Sequence, residues 1–330
     1  MRIWNLPLID YRSWAEIEPG AARLLVTTPR AWQAAGPHLQ QLPIVHTLMV
    51  SQATVQHWAQ LASTAMGLKN QHPQLEVLAV GGGLAVDAAK YLAHNLARPL
   101  TCLPTMISCD AFLTAEVAVR ADGTLRYLDA VRPEHLVLDL EQLAQAPAPQ
   151  RAAGICDLLS ITTALWDWEY AEELGQNPPE MELVPWAADA AQALLAGALE
   201  CAAAAGAGDP QGLKQLFDLL AMEVQLCNQL GHPRPVEGSE HFFAAVAETH
   251  LGQAGLHASL VGPGILQMAA RQDQDAREIQ SALQACHIPL DELSAKVIAA
   301  TLASLPEYVR DQELPYSIAH ELEQTQDISH

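Results

Sequence analysis

The sequence predicts an α/β domain with a parallel sheet followed by an all-α domain, and three observations support this two-domain fold. Up to about residue 140, short β-branched or leucine-rich runs alternate with segments of helical periodicity, which is typical of a parallel sheet covered by helices on both faces. Beyond residue 154 the apolar segments have helical periodicity, and we find no convincing strand. Between these regions, 142–154 carries two prolines and few large apolar groups, so we predict domains over 1–148 and 149–330.

Each element follows from a local pattern. Apolar runs that end at proline, threonine or glycine predict strands, and apolar residues at helical spacing predict helices, one of which would have Ser51 as its N-cap. Asp122-Gly123 between two alternating runs predicts a β-hairpin. In chain order the first domain has a predicted strand at 22–28, helix at 31–42, strand at 43–50, helix at 51–70, strand at 75–83, helix at 84–97, strand at 99–105, hairpin at 115–131 and strand at 134–140; predicted helices of the second domain include 154–174, 180–205 and 210–230.

Composition and charge exclude several classes of protein. The 17 Lys and Arg against 38 Asp and Glu give a net charge of −21, which would repel nucleic acid and anionic membrane surfaces. Half of the residues are hydrophobic, which argues against disorder. The N-terminus lacks the pattern of a secretory signal, no apolar run reaches about 18 residues, and the six cysteines form no C-x-x-C pair. We therefore expect a cytoplasmic protein with reduced thiols that binds neither nucleic acid nor membrane.

A glycine turn in VLAVGGGLAVDAAK predicts a phosphate-binding site. A buried strand ends at Gly81, Gly82 and Gly83, where a helix begins. Glycines allow close approach of a ligand to the backbone, and a helix N-terminus offers free N–H groups and partial positive charge to a pyrophosphate. The motif is not G-x-G-x-x-G, so a tight turn without a ligand is an equally good interpretation of these residues by themselves.

The loop after the next strand adds hydroxyl and carboxyl groups. Thr105, Ser108 and Asp110 follow Pro104 within a few residues. Ligands of open α/β sheets bind beyond the carboxyl ends of the strands, where hydroxyls can reach a phosphate or ribose and Asp110 can accept from a polyol hydroxyl. The alternative is a turn that caps the next segment, which these residues by themselves favour.

Histidines cluster in the second domain. His232, His241, His250 and His257 lie within 26 residues, and Ser239 as a helix N-cap would place His241 in the first turn of a helix. His257 follows two further glycines and is expected on another element. Two imidazoles and the carboxylate of Asp157 would make an open three-ligand site for a divalent metal ion. We interpret His232 and His250 as structural.

Four motifs in register resemble glycerol-1-phosphate dehydrogenase. They are GGG-x-x-x-D-x-x-K from Gly81 to Lys90, P-T-x-x-S-x-D from Pro104 to Asp110, G-x-x-D-L-L-S from Gly154 to Ser160 with Asp167-Trp168 after it, and R-P-x-x-G-S-E-H from Arg234 to His241. The resemblance covers about residues 20–270. This family belongs to the superfamily of iron-containing alcohol dehydrogenases, glycerol dehydrogenase and dehydroquinate synthase, which implies a Rossmann-like α/β domain and a helical domain that binds metal and substrate.

The resemblance also implies a role for individual residues. Asp157, His241 and His257 would hold zinc, nickel or iron, Asp157 would thereby be catalytic, and Asp110 would contact the substrate. The residues that would contact NAD or NADP are Gly81, Gly82, Gly83, Leu84, Ala85, Thr105, Ser108 and Thr114. The metal ion would lower the pKa of the substrate alcohol, and hydride would move to the nicotinamide ring.

The sequence departs from the family pattern around the second domain's histidines. A histidine that follows the first metal-binding histidine by four residues is Ala245 here, and H-G-E-Q-V-G-V-G reads HASLVGPG, with Ala258 and Ser259 after His257. Whether the substrate is phosphorylated therefore stays open. Lys90, Arg132 and Arg234 are candidates for a positive patch, and each is as well explained as a solvated surface residue. After the first strand, Thr28 and Arg30 replace the acid that binds a ribose diol, so we expect NADP to be used at least as well as NAD.

These observations predict a metal-dependent, NAD(P)-linked oxidoreductase. It would interconvert a secondary alcohol and a ketone on a small polyol, polyol phosphate or hydroxyketone. A dehydroquinate synthase-like cyclase or lyase is a first alternative, although Asp157 stands where that group has Glu and no Lys is near. The altered residues around His241 and His257 motivate a second, an inactive paralogue that binds a nucleotide or a partner protein. The Ala-rich helices and the resemblance lead us to expect a homo-oligomer.

Overall fold

The computed structural model describes residues 5–121, 124–252 and 255–322, which form two compact units. The first contains residues 5–152 together with Gly208–Lys214, and the second contains Ala153–Ala207 and the residues from Gln215 onward. A division into two compact units does not show which segments fold independently. The predicted domains, 1–148 and 149–330, therefore stay a prediction. No pattern in the sequence indicates that Gly208–Lys214 groups with the first unit.

The first unit is built on a parallel sheet, as the sequence predicts, and the sheet has six strands, of which the first was not predicted. Their spatial order is β1-β8-β5-β4-β2-β3, and every pair of neighbours is parallel. A separate antiparallel pair, β6 and β7, forms the predicted hairpin, whose turn at Asp122-Gly123 lies outside the described residues. The strands are β1 Leu8–Tyr11, β2 Arg23–Thr27, β3 Ile44–Met49, β4 Glu76–Gly81, β5 Leu100–Pro104, β6 Glu116–Ala121, β7 Thr124–Asp129 and β8 His135–Leu138.

The central strands are apolar throughout because both of their faces are covered. Leu24, Leu25 and Val26 of β2 are fully buried, as are Val77 and Leu78 of β4. A parallel strand that is buried on both faces has a continuous apolar run instead of an alternating one, which is why these strands could be predicted. The helices of this unit are α1 Pro29–Ala35, α2 Val55–Gln71, α3 Gly83–Leu96, α4 Leu140–Ala144 and α5 Ala148–Arg151.

Two predictions about helix ends are wrong. Helix α1 ends at Ala35, seven residues before the predicted end, because Pro37 has no N–H for the next α-helical hydrogen bond and a 3₁₀ turn takes over at Gly36–His38. Helix α2 has Thr54 and not Ser51 as its N-cap, and the Thr54 side chain accepts a hydrogen bond from the His57 N–H at 3.3 Å.

The second unit is helical in all of its regular elements among the described residues, apart from short 3₁₀ turns. Helix α10 packs against α7, α11 and α13, and helix α6 packs against α8 and α11. The helices are α6 Ile155–Leu159, α7 Ile161–Glu173, α8 Pro185–Ala207, α9 Pro210–Leu230, α10 Ser239–Leu251, α11 His257–Arg271, α12 Arg277–Ala285 and α13 Ala295–Asp311. The prediction that this part of the chain is helical is confirmed for the residues described.

Helix α8 is the Ala-rich segment that the sequence predicts to be a packed helix. Within the described part of the chain, it is the one helix with the length and hydropathy that crossing a membrane requires. Of its most apolar window, 39% is buried. It packs against α6, α7 and α12 of its own unit.

Candidate metal and nucleotide sites

Three helices of the second unit bring the predicted metal ligands together. Asp157 lies on α6, His241 in the first turn of α10, and His257 at the start of α11. One ligand atom from each of these residues lies within 4.8 Å of the others. The His257 Nε2 and Asp157 Oδ1 atoms are 3.1 Å apart, and the two imidazole centroids are 5.4 Å apart. The sequence placed the histidines on separate elements, and the structure agrees.

The start of α10 differs from the prediction. Its N-cap is Gly238, and Ser239 is the first helical residue, with a buried side chain. Glycine is required at 238 because a Cβ there would lie 2.7 Å from the Ala164 Cα. The close approach of α7 therefore fixes the cap, and His241 is still in the first turn, as predicted.

Glu240 orients His241, which the sequence analysis missed. The Glu240 side chain is fully buried, and its Oε1 lies 2.8 Å from the His241 Nδ1. The same oxygen accepts from the Gly238 N–H at 2.7 Å, and Oε2 accepts from the Thr163 hydroxyl at 2.7 Å. Because these three contacts hold the Glu240 carboxylate, it fixes the orientation of the His241 ring and leaves Nε2 as the candidate ligand atom. Metal-binding histidines commonly have such a carboxylate partner on their other ring nitrogen.

The pKa of His241 reflects this environment. Burial lowers the pKa, whereas the hydrogen bond to Glu240 and the negative charges of Glu240, Glu237 and Asp157 raise it, to about 9 in total. An imidazole among carboxylates holds a cation strongly, whether that cation is a proton or a metal ion. This cluster therefore has the charges as well as the donor atoms of a candidate cation site.

Asp167 of the D-W motif positions the start of α10 and makes no contact with the metal cluster. Its buried carboxylate accepts from the Ser239 N–H and the Ile318 N–H, both at 2.8 Å. Burial and the nearby charge of Glu240 raise the pKa of Asp167 to about 6. The neighbouring Trp168 donates its indole N–H to the Met181 carbonyl at 2.7 Å. The motif is thus structural in this chain.

The cations that the sequence offered as a positive patch have structural roles instead. Lys90 is fully buried and Arg234 is 1% exposed. The Arg234 guanidinium donates to the Asp167 carbonyl at 3.1 Å, and Arg132 donates to the Pro133 carbonyl at 3.2 Å. The interpretation of Lys90 and Arg234 as solvated surface residues is therefore wrong. Their interpretation as an accessible, anion-binding patch is wrong for the same reason, since the sequence does not show that these side chains are buried.

The two histidines interpreted as structural have structural partners. His232 is buried edge-on against Trp168, at 5.4 Å between ring centroids, and its Nδ1 accepts from the Arg234 N–H. His250 lies 2.9 Å from the Ser304 hydroxyl, between Nε2 and Oγ.

The glycine turn lies in the first unit, at the carboxyl end of β4. Gly81 has φ +150°, and a Cβ there would lie 2.8 Å from the Ala85 Cβ, so another residue would be strained. Gly83 is the first residue of α3, a helix of 14 residues, and Leu84 and Ala85 complete its first turn. The strand–glycine–helix geometry that the sequence predicts for a pyrophosphate is therefore present.

The loop after β5 lies beside this turn. The Thr105 N–H donates to the Gly81 carbonyl at 3.1 Å, and the Ser108 Oγ would be 3.6 Å from a Cβ on Gly82. The Thr105 hydroxyl is buried without a partner among the described residues, which leaves a polar atom for a ligand. Asp110 begins a 3₁₀ turn in the same loop. The structure thus groups Gly81–Gly83 with Thr105 and Ser108.

Thr114, predicted to contact the cofactor, lies beside a buried ion pair. Its hydroxyl accepts from the Lys90 ammonium at 3.4 Å, and Lys90 also binds Asp87 at 2.9 Å. The D-x-x-K part of the first motif therefore joins α3 to the segment before β6, while the contact of Thr114 with a nucleotide stays a prediction.

Comparison with known proteins agrees with this architecture. A sequence model of the family described as iron-containing alcohol dehydrogenase matches residues 18–147. A crystal structure of a probable glycerol dehydrogenase from Sinorhizobium meliloti has a TM-score of 0.69, with 17% identity, and the alignment covers 98% of this chain and 94% of that one. Residues 18–147 of this chain are thus similar to the iron-containing alcohol dehydrogenase family, and the whole chain has the fold of that probable glycerol dehydrogenase. The two-domain fold predicted from the sequence agrees with this structural similarity.

Curated relatives of this chain have a more specific name. Glycerol-1-phosphate dehydrogenase [NAD(P)+] of Pyrococcus furiosus is 26% identical over 273 residues, which are 81% of this chain and 76% of that protein. The Sulfolobus acidocaldarius protein of the same name is 31% identical over 215 residues, which are 65% of this chain and 60% of that protein. The chain therefore spans about three quarters of the first relative and three fifths of the second.

Proposed function

We propose that this protein is a metal-dependent, NAD(P)-linked oxidoreductase that interconverts a secondary alcohol and a ketone on a small polyol or polyol phosphate. The observation that carries the proposal is the cluster of Asp157, His241 and His257, which come from three helices and lie within 4.8 Å of one another. The names of the relatives, glycerol-1-phosphate dehydrogenase [NAD(P)+], support the reaction type. No observation favours the cyclase or the inactive paralogue.

The donor set suits one divalent ion. Two imidazole nitrogens and one carboxylate oxygen are ligands that zinc, nickel and iron(II) accept, with further positions left for a substrate oxygen. Such an ion, when bound, supplies Lewis acidity that lowers the pKa of an alcohol or polarises a ketone. Glu240 holds His241 in place for this role, and the Asp157 carboxylate offsets positive charge at the site.

The glycine turn is proposed to hold the pyrophosphate of a nicotinamide dinucleotide. Backbone N–H groups at Gly82 and Gly83 and the hydroxyls of Thr105 and Ser108 would bind the nucleotide, whose ring exchanges hydride with the substrate. Leu84, Ala85 and Thr114 are proposed as further contacts, and Asp110 would accept a hydrogen bond from a substrate hydroxyl. Arg30 is exposed in the first turn of α1, next to the carboxyl end of β2, where it can bind a 2′-phosphate.

The metal site is tested by changing one ligand. Purified wild-type protein exposed to Zn²⁺ and then desalted is expected to retain about one ion per chain, and Asp157→Ala is expected to lose it, because two imidazoles without the carboxylate bind a divalent ion weakly. Elemental analysis measures the metal. Asp189→Ala, on the exposed surface of α8, is the matched control and should retain the ion.

Turnover is followed as NADPH absorbance in the presence of dihydroxyacetone phosphate and a panel of neutral hydroxyketones. The wild-type protein is expected to oxidise NADPH with at least one of them, and Asp157→Ala with none. Equal zinc content in the two variants would contradict the metal site, and no turnover with any ketone would contradict the reaction.

The nucleotide site is tested at Gly83. A Cβ there would meet nothing closer than the Cys109 Sγ at 3.5 Å, so Gly83→Ala should fold normally, but the methyl would occupy space between the glycine turn and Ser108. We expect NADPH affinity to fall at least about tenfold, measured by NADPH fluorescence, which is about 1.4 kcal/mol. Gly67→Ala, where a Cβ meets nothing within 4 Å, is the control. Unchanged affinity in Gly83→Ala would place the pyrophosphate elsewhere.

A further inference from the structure

The first turn of α10, which carries His241, is capped by a side chain of another helix. Its own N-cap residue, Gly238, has no side chain that could accept from the free N–H groups at the helix start. The Asp167 carboxylate of α7 takes this place, and its Oδ2 accepts from the Ser239 N–H at 2.8 Å. Helices fray first at ends that lack a cap. The position of His241 therefore depends on where Asp167 is held.

A second backbone N–H holds the same carboxylate. It belongs to Ile318, the first residue of a 3₁₀ turn, Ile318–His320, which we call the Ile318 turn. The Ile318 N–H donates to the Asp167 Oδ1 at 2.8 Å. Asp167 is fully buried, and above its pKa of about 6 it is ionised, so both hydrogen bonds are charge-assisted and strong. One carboxylate thus joins the Ile318 turn to the first turn of α10.

Helices α7 and α13 fix the Ile318 turn. The Tyr170 hydroxyl of α7 donates to the carboxylate of Glu321, directly after the turn, at 2.6 Å. The Arg310 guanidinium of α13 donates to the His320 carbonyl at 2.7 Å. Because these contacts fix the turn, its first N–H has a defined position from which it holds the carboxylate.

We propose that Ile318 is a positioning residue of the candidate metal site, which strengthens metal binding by holding Asp167 against the first turn of α10. Without the Ile318 N–H, one oxygen of a buried carboxylate loses its donor, and the carboxylate is free to turn away from the Ser239 N–H. His241 must then be ordered when a metal ion binds, and this ordering reduces the affinity. The proposal rests on the proposed function, because it takes the cluster around His241 as a metal site.

The experiment compares Ile318→Pro with Ile318→Ala. Both variants remove the packing of the isoleucine side chain, but only Ile318→Pro removes the N–H. Proline suits the first residue of a helical turn, and Ser317 has the extended conformation, φ −158° and ψ 174°, that proline favours in the preceding residue. Competition with a chromophoric chelator measures zinc affinity at about pH 7.5, where Asp167 is ionised. The temperature is one at which circular dichroism shows both variants to be folded.

We expect Ile318→Ala to bind zinc as tightly as the wild-type protein does. Ile318→Pro should bind it at least about fivefold more weakly, which is the lower end of the usual coupling between two sites. A purely structural role would not produce this result, since a loss of stability leaves the zinc affinity of an already folded protein unchanged. Equal zinc affinities of the two variants would overturn the proposal.

The wild-type protein provides an independent test. Because coupling is reciprocal, zinc should slow hydrogen exchange of the Ile318 N–H by a similar factor, measured by NMR. The Leu183 N–H, which donates to another carboxylate of α7, that of Glu172, at 3.0 Å, is the matched control and should exchange at the same rate with and without zinc. An Ile318 exchange rate that zinc leaves unchanged would also overturn the proposal. A wild-type protein that binds no zinc would overturn the metal site and this proposal together.

Discussion

Replacement of Lys90 by methionine is expected to lower the free energy of unfolding by about 3–5 kcal/mol, the largest effect on stability that we predict. The Lys90 ammonium is fully buried and donates to the Ala111 carbonyl at 2.8 Å, to the Glu116 carbonyl and to Thr114, while it pairs with Asp87 at 2.9 Å. Removal of the ammonium leaves a buried carboxylate and two backbone carbonyls without their donor. Burial already raises the pKa of Asp87, with Lys90 opposing that rise.

Urea denaturation followed by circular dichroism measures this loss. Lys296→Met, at an exposed position of α13, is the matched control and should change the free energy of unfolding by less than about 0.5 kcal/mol. The double variant Lys90→Met/Asp87→Asn should be less destabilised than Lys90→Met, because it leaves no uncompensated charge. A loss below about 1 kcal/mol in Lys90→Met would show that the ammonium is not needed to join α3 to the segment before β6.

The fold could be predicted where burial leaves a pattern in the sequence. Strands β2 and β4 are continuous apolar runs because helices cover both faces of the sheet, and such runs are visible without a structure. Strand β1 was missed because it is a four-residue edge strand, Leu8–Tyr11, that is half-buried at most, so LIDY has neither a long apolar run nor a clear alternation. Its place beside β8 depends on pairing between residues 127 positions apart, such as Leu8 and His135, which no local pattern encodes.

The site could be predicted as far as its motifs reach. The proximity of Asp157, His241 and His257 could be predicted because metal-binding residue types recur at recognisable positions, and the glycine turn because its geometry requires glycine. Glu240 was missed although it directly precedes His241, since nothing in the sequence shows that its carboxyl turns back to bind the ring.

The burial of charged side chains, and the partners that they contact, could not be predicted from the sequence either. Lys90 and Arg234 were taken for accessible cations because a sequence lists charges without their partners.

The Glu240–His241 pair predicts a pH-dependent stability in the metal-free protein. The pKa of His241, about 9 in the folded protein, exceeds its ordinary value of 6.5. A histidine whose pKa is raised by folding stabilises the fold fully below about pH 6.5, and this stabilisation is lost as the pH rises through about 9.

Glu240→Gln removes the charge but retains the shape, since an amide can still accept from Gly238 and the Thr163 hydroxyl has the Ser160 carbonyl as a second acceptor. The pKa of His241, measured by NMR titration, should fall in this variant because burial is then less opposed.

The difference in unfolding free energy between the wild-type protein and Glu240→Gln should therefore shrink between pH 6 and pH 9.5, by up to about 3 kcal/mol, because 2.5 pKa units at 1.36 kcal/mol each bound the effect. Part of it will survive in the variant, since Glu237 and Asp157 also raise the pKa. Chelator-treated samples keep metal from replacing the proton, and Glu173→Gln should show the wild-type pH profile. A difference that stays constant with pH would mean that Glu240 acts by hydrogen bonding alone, and that the charge of His241 in the folded protein does not depend on it.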